Sequence, residues 1–373
     1  MAASNDQIII VDGTDGYIYD VEDATFAQIT DGEFPSSPDD VTYQDGYFIV
    51  MSATDQKFYL SSINKGLEWD GLDFASATAV ADNLVGLISD HRELWLFGEK
   101  STEIWFNSGN ATFPFERRPG VLLHKGLAAK KSVARVDNTL YWLAKDDAGS
   151  STVVRAAGYT PETISTRAIA QAIESYSTIS DAYAYTYRIA QHEFYVLTFP
   201  TAEATWVFDA SVNQWHERQS LDSNMNKRHR SNCYAFANGK HLVGDYNTGA
   251  ILQLDEATHT ETSTRIERMR RTQHTHSNRQ LLSIYNFELE VEPGVGIDAG
   301  QGSDPQIMLR VSKDGGHTWG NEMWRSLGKT GIYNRRVKWD ALGQARSWTF
   351  EFTISDPVDI NILGAYADIE GER

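Results

Sequence analysis

A single cysteine stands in the 373 residues of this chain. Cys233 has no second thiol to pair with, so an intrachain disulfide is excluded, and no cysteine pair offers the spacing of a structural zinc site. Long apolar runs are missing as well. Runs such as Gln7-Ile8-Ile9-Ile10-Val11 fall far short of the roughly 20 residues that a membrane span requires. The N-terminus shows no basic region followed by a hydrophobic stretch, which argues against a secretory signal and fits assembly in a reducing cytoplasm. Basic residues are scarce in the first hundred, with 4 Lys and Arg against 19 Asp and Glu, so nearly all of the net charge of -18 arises there. Such a surface repels phosphate, because DNA binding is driven by Lys and Arg displacing counterions. No G-x-x-x-x-G-K-[ST] loop, H-E-x-x-H helix or G-x-S-x-G elbow is present, so nucleotide hydrolysis and the common hydrolase reactions have no anchor, and no cofactor is implied.

Aromatic residues, in contrast, make up 12% of the chain. They favour half-buried strands over long helices, because aromatic and β-branched side chains fit a pleated surface. One unit recurs six times: an alternating apolar run, a turn rich in Asp, Asn or Gly, and a second alternating run. The copies begin near Ile8, Val41, Leu84, Ser132, Ala182 and Asn232. Their starts lie roughly 33 to 50 residues apart, the spacing of four-stranded propeller blades. The expectation is an all-β chain: a six-bladed β-propeller over residues 1–260 and a small C-terminal β-sandwich-like domain over 280–373. An antiparallel sandwich of many hairpins has the same local pattern, since periodicity does not report radial closure. Residues 166–176 alone carry a helical stripe, with Ala168, Ile169, Ala172, Ile173 and Tyr176 on one side.

The segment 261–279 reads as a basic linker, or as a return that completes the propeller. It carries Arg265, Arg268, Arg270, Arg271 and Arg279. These arginines, with Lys227-Arg228-His229-Arg230, suit pairing with carboxylates across a subunit interface, or contact with phosphate; a solvated basic loop is the bland alternative. His274 and His276, with His259, have the residue types of a metal site, but neighbouring cations disfavour a divalent ion there. Beyond the linker, strand alternation resumes at 285–291 and again at 308–311, 337–339 and 348–354.

Ser312, Asp314, Gly316, Thr318 and Trp319 form an S-x-D-x-G-x-T-W box known from sialidases and other propeller proteins. The box is a fold device: its Asp can bond turn N–H groups, Gly316 can take a positive φ and the Trp can cover the hairpin. A glycosidase needs two carboxylates roughly 5 Å apart, or a tyrosine nucleophile with an acidic partner, and no spacing here nominates either.

The order of this box, Tyr333-Asn334-Arg335-Arg336-Val337-Lys338-Trp339, Leu342-Gly343 and Ser355-Asp356-Pro357-Val358 resembles the C-terminal part of the packaged-DNA stabilisation proteins of short-tailed phages, their tail hubs or nozzles. A weaker likeness runs through 96–106 and 207–210. The resemblance implies a structural, non-enzymatic virion component, assembled in the host cytoplasm. It implies a homo-oligomeric ring, sixfold in the family, below the portal adaptor, touching tail spikes or fibres and a needle or plug, and passing double-stranded DNA without specific binding. Asp12, Asp15, Asp20, Asp39, Asp40 and Asp45 are then candidates for the passage wall. Family members begin with a longer N-terminal region, whereas strand pattern is running here by Ile8, so a piece is expected to be missing or replaced. The alternatives are a sialidase-like propeller glycosidase and a glycan- or protein-binding propeller module.

Overall fold

Each of the six repeated segments folds into an antiparallel meander sheet, and the sheets follow one another along the chain over residues 2–28, 38–76, 84–123, 126–163, 183–217 and 231–254. The computed structural model describes residues 1–371 apart from Thr78, Ala81, Asp147, Ser223, Asn224 and Arg279. Among the described residues the one α-helix is Arg167–Glu174, and Thr166 caps it by accepting the Ile169 N–H.

The turn between the first and second long strands is the same device in the second to sixth sheets. Asp45-Gly46, His91-Arg92, Asp137-Asn138, Ala190-Gln191 and Asn238-Gly239 all have positive φ at both positions. In four of them the register leaves two residues in the loop, flanked by the pairs Gln44 with Tyr47, Asp90 with Glu93, Val136 with Thr139 and Ile189 with His192. Two-residue loops of this hand match the twist of the strands they join.

The second to fifth sheets are buried on both faces, as inner propeller blades are. Phe48 and Val50 pack toward Ile9 and Ile18 of the first sheet. Ile49 and Met51, the alternate residues of the same strand, pack toward Leu87 and Leu94 of the third. The pattern repeats: Trp95 and Phe97 meet Trp142 and Val154, whereas Tyr141 and Leu143 meet Tyr195 and Phe208. Strands buried on both sides read as continuous apolar runs, which is why Phe48-Ile49-Val50-Met51 and Leu94-Trp95-Leu96-Phe97 show so little alternation. The helix lays Ile169 and Ile173 on the core shared by the fourth and fifth sheets. Tyr185 and Tyr187 of the fifth sheet meet Tyr234 of the sixth, at ring distances of 6.0 and 5.7 Å.

The C-terminal part is a β-sandwich. One sheet runs Arg268–Arg271, Thr349–Ile354, Gln306–Ser312 and Met323–Ser326; the other runs Val337–Ala345, Leu282–Val291 and Ile362–Gly371. Trp339, Trp348, Phe287, Phe350 and Phe352 fill the space between them. Part of the segment expected to be a linker is thus a sheet strand, because Arg268–Arg271 alternates in phase with Thr349–Ile354. By compactness the chain divides into two units: Met1–Gln219 with Arg228–Phe236 and Val243–Ile251, and Ser220–Lys227 with Ala237–Leu242 and the chain from Leu252 onward.

Candidate functional site

The six aspartates singled out in the sequence occupy three different environments. Asp12, Asp15 and Asp20 sit at the turns of the first sheet, exposed or half-exposed, and no Lys or Arg pairs with them among the described residues. Asp12 accepts the N–H groups of Thr14 and Asp15, both at 2.8 Å, and those bonds hold its carboxyl below the ordinary carboxylate range. Asp20 is held low in the same way by the Asp23 N–H, with help from Gln7 and Glu22.

Asp39 and Asp40 instead line a cleft of about 540 Å³ among the first four sheets, together with Lys130 and Thr42. Lys130 Nζ lies 2.8 Å from Asp39 Oδ1. Burial pushes the Asp40 carboxyl above its ordinary value, and Lys130 together with the Leu87 and Val41 N–H groups opposes that without cancelling it. Asp45, at the second sheet's hairpin, pairs with Arg92 at 3.0 Å.

The arginines divide similarly. Arg268 donates to the carbonyls of Val358 and Asp356, each at 2.7 Å. Arg271 and Arg310 grip opposite oxygens of the buried Glu351, at 2.6 and 2.5 Å. Burial raises the Glu351 carboxyl, but the hydrogen bonds and charges of the two arginines outweigh that and leave it below its usual value. Both guanidiniums also lie over the Trp319 ring, 4.8 and 5.5 Å from its centroid. Arg265 and Arg270 are exposed and have no ion-pair partner among the described residues. Arg279 lies outside the described residues. Sequence spacing gave no hint of Glu351 or Arg310, which stand 80 and 39 residues from Arg271 only in number, and converge through strand pairing.

In the turn box, Asp314 accepts the N–H groups of His317 and Thr318 at 3.0 and 2.9 Å, the Thr318 hydroxyl at 2.5 Å and the Ser312 hydroxyl at 2.7 Å. These bonds hold its carboxyl far below the usual range. Gly316 has φ +98°, where a side chain would be strained. Every acceptor of the carboxylate thus serves the turn itself. His274 and His276 lie with their rings 5.4 Å apart, and no group of three or more His, Cys, Asp or Glu that could hold a metal ion is found among the described residues. Among the described residues no helix is long and apolar enough to cross a membrane.

A propeller followed by a sandwich is also what known families show for this sequence. The family model described as bacteriophage P22 Gp10, beta-propeller, matches residues 1–259, and that described as bacteriophage P22 Gp10, beta-sandwich, matches residues 267–370. The chain belongs to the P22 Gp10 family. The Gp10 family consists of structural phage proteins that stabilise packaged DNA, so this chain has a structural role in a phage virion. No curated protein matches it. Among solved structures it is similar to the crystal structure of Kluyvelomyces marxianus Hsv2, at 8% identity and a TM-score of 0.36, with 65% of this chain and 67% of that chain covered. A likeness so loose has no bearing on function.

Proposed function

We propose that this Gp10-family chain is the tail hub, or nozzle, of a short-tailed phage: copies form a ring below the portal adaptor, retain the packaged genome and enclose the channel through which it leaves. The observation that carries this reading is the match to the Gp10 models across both the propeller and the sandwich. A sixfold ring, contact with the needle or plug and with spikes or fibres, and assembly in the host cytoplasm belong to the same proposal.

The charge distribution supports it. A wall that bound each phosphate would slow the exit of DNA, whereas an acidic wall repels it and leaves no counterions to exchange. Asp12, Asp15 and Asp20 suit such a wall better than Asp39, Asp40 and Asp45, whose charges are desolvated or matched by Lys130 and Arg92. The role is mechanical, and no catalytic group is assigned.

The test is assembly. Purified chain, alone or mixed with the portal adaptor, should give rings with a central hole in negative-stain images. A chain that stays solitary in mature particles, touching neither adaptor nor tail appendages, overturns the reading. Turnover of a fluorogenic sialoside would favour the glycosidase alternative, and monomeric glycan binding without turnover the binding-module alternative.

A further inference from the structure

The strand Ile362–Gly371 runs ten residues along Leu282–Val291 and pairs on that side alone among the described residues. Its register places Ile369, Ala367 and Ala365 directly across from Ile284, Phe287 and Leu289, which are buried in the sandwich core. Directly opposed residues share a face. Ile369, Ala367 and Ala365 therefore lie on the core side of their sheet, yet all three are exposed, Ile369 to 45%. A long edge strand with an uncovered apolar face is an open template for another chain.

The other face of the same strand is acidic and lacks cations. Glu370 accepts the Tyr285 hydroxyl at 2.6 Å, Glu290 the Tyr366 hydroxyl at 2.9 Å and Asp368 the Asn286 amide at 3.2 Å. No Lys or Arg reaches these three carboxylates among the described residues. The edge strand of the facing sheet is built the opposite way. Arg268 and Arg270 stand across from Ile354 and Phe352, so they point to the core side, the inward charge by which natural edges resist pairing with their own kind. Arg270, and Arg265 five residues before it, are exposed and have no ion-pair partner among the described residues.

We propose that Ile362–Gly371 is an assembly edge, on which the sandwich of a second copy of this chain docks through its Arg268–Arg271 strand and Arg265. Docking covers Ile369, Ala367 and Ala365, and sets Arg265 and Arg270 against Asp368, Glu370 and Glu290. Two copies of the acidic edge do not pair with each other, because like charges would stand opposite. The contact joins two different surfaces, so it is head-to-tail and builds a ring wherever its rotation closes. This inference rests on the oligomeric reading above and names the surfaces that reading leaves open.

The experiment is sedimentation velocity with negative-stain imaging on the full chain. Wild type is expected to assemble. Ile369→Lys combined with Ala367→Lys, Arg270→Glu, and Asp368→Arg combined with Glu370→Arg are each expected to leave monomers with an unchanged unfolding midpoint, since all these positions are exposed. Mixing the Arg270→Glu protein with the Asp368→Arg/Glu370→Arg protein should restore assembly, because one contact in the mixture is unchanged and the other has its charges exchanged. Variants that assemble as wild type does overturn the assigned edge while the ring stands. Wild type that remains monomeric at every concentration, with and without adaptor, overturns both.

Discussion

The Asp40 carboxylate accepts the Leu87 N–H at 3.2 Å, joining the first strand of one propeller sheet to the first strand of the next. Two residues on, Thr42 Oγ1 accepts the Ser89 N–H at 3.1 Å, and Gln44 Oε1 accepts the Ser89 hydroxyl at 2.9 Å. Alternate side chains of Pro38–Gln44 thus stand in for a backbone ladder that neighbouring sheets cannot share. An aspartate read from sequence as a surface charge is placed here as a seam residue. Removing it leaves a half-buried N–H without a partner.

Asp40→Ala is accordingly expected to cost about 1–3 kcal/mol, the usual penalty for an orphaned buried donor. Asp40→Asn keeps an oxygen for Leu87 and should cost less than Asp40→Ala. Because burial raises the folded pKa of Asp40, the folded state binds its proton more tightly than the unfolded state does. Wild type should therefore gain on Asp40→Asn as pH falls from neutral into the carboxylate range. Urea midpoints of the three proteins across that range check both statements.

His229 titrates in the opposite sense. It is half-buried, with Nδ1 2.6 Å from the Ser231 hydroxyl, which in turn meets the Tyr185 hydroxyl at 2.5 Å. Burial, with the Arg218 charge adding to it, lowers its pKa to about 3. Its unfolded value is about 6.5, so the stability it permits is complete above that pH and is lost as pH falls toward the folded value. Between pH 6.5 and 5 the loss should be about 2 kcal/mol. Replacing His229 with Gln should remove that part of the slope, read from denaturation midpoints at the two pH values.

Much of the fold was legible because strand alternation and turn chemistry are local. Thr139-Leu140-Tyr141-Trp142-Leu143 and Ala204-Thr205-Trp206-Val207-Phe208 lie within the strands they suggest, Thr139–Lys145 and Ala204–Asp209. The helix stripe at 166–176 became Arg167–Glu174, with Thr166 as its cap. The turns at His91-Arg92 and Ala190-Gln191 were less legible, since neither pair is a preferred occupant of the left-handed region; the strands on either side impose it. The interaction residues were hardest to read. Whether an aspartate faces solvent like Asp12 or a seam like Asp40 depends on partners 47 residues away, which spacing does not report.

Glu351 tests the sandwich. Its two arginines are partly exposed, 48% and 38% for their side chains, so solvent screens the pair and breaking it should cost about 1–3 kcal/mol rather than the larger value for a fully buried triad. Glu351→Gln should show that loss at neutral pH. The folded pKa is depressed, so the stabilisation is present above the unfolded value and disappears as pH falls through the folded one. Wild type and Glu351→Gln should therefore converge in acid. Trp319 fluorescence should report the same change, since both guanidiniums lie over that ring.

Asp12, Asp15 and Asp20 allow charge to be separated from fold. Asparagine keeps a carbonyl oxygen for the turn N–H groups that Asp12 and Asp20 accept, so the triple Asn variant should retain the first sheet with an unfolding midpoint close to wild type. What it loses is negative potential. If these residues face the DNA passage, particles carrying the variant should release their genome more slowly than wild type at low ionic strength, and the difference should fade as salt screens the wall. Equal release rates at every salt concentration, from particles with an intact first sheet, would place these aspartates away from the passage.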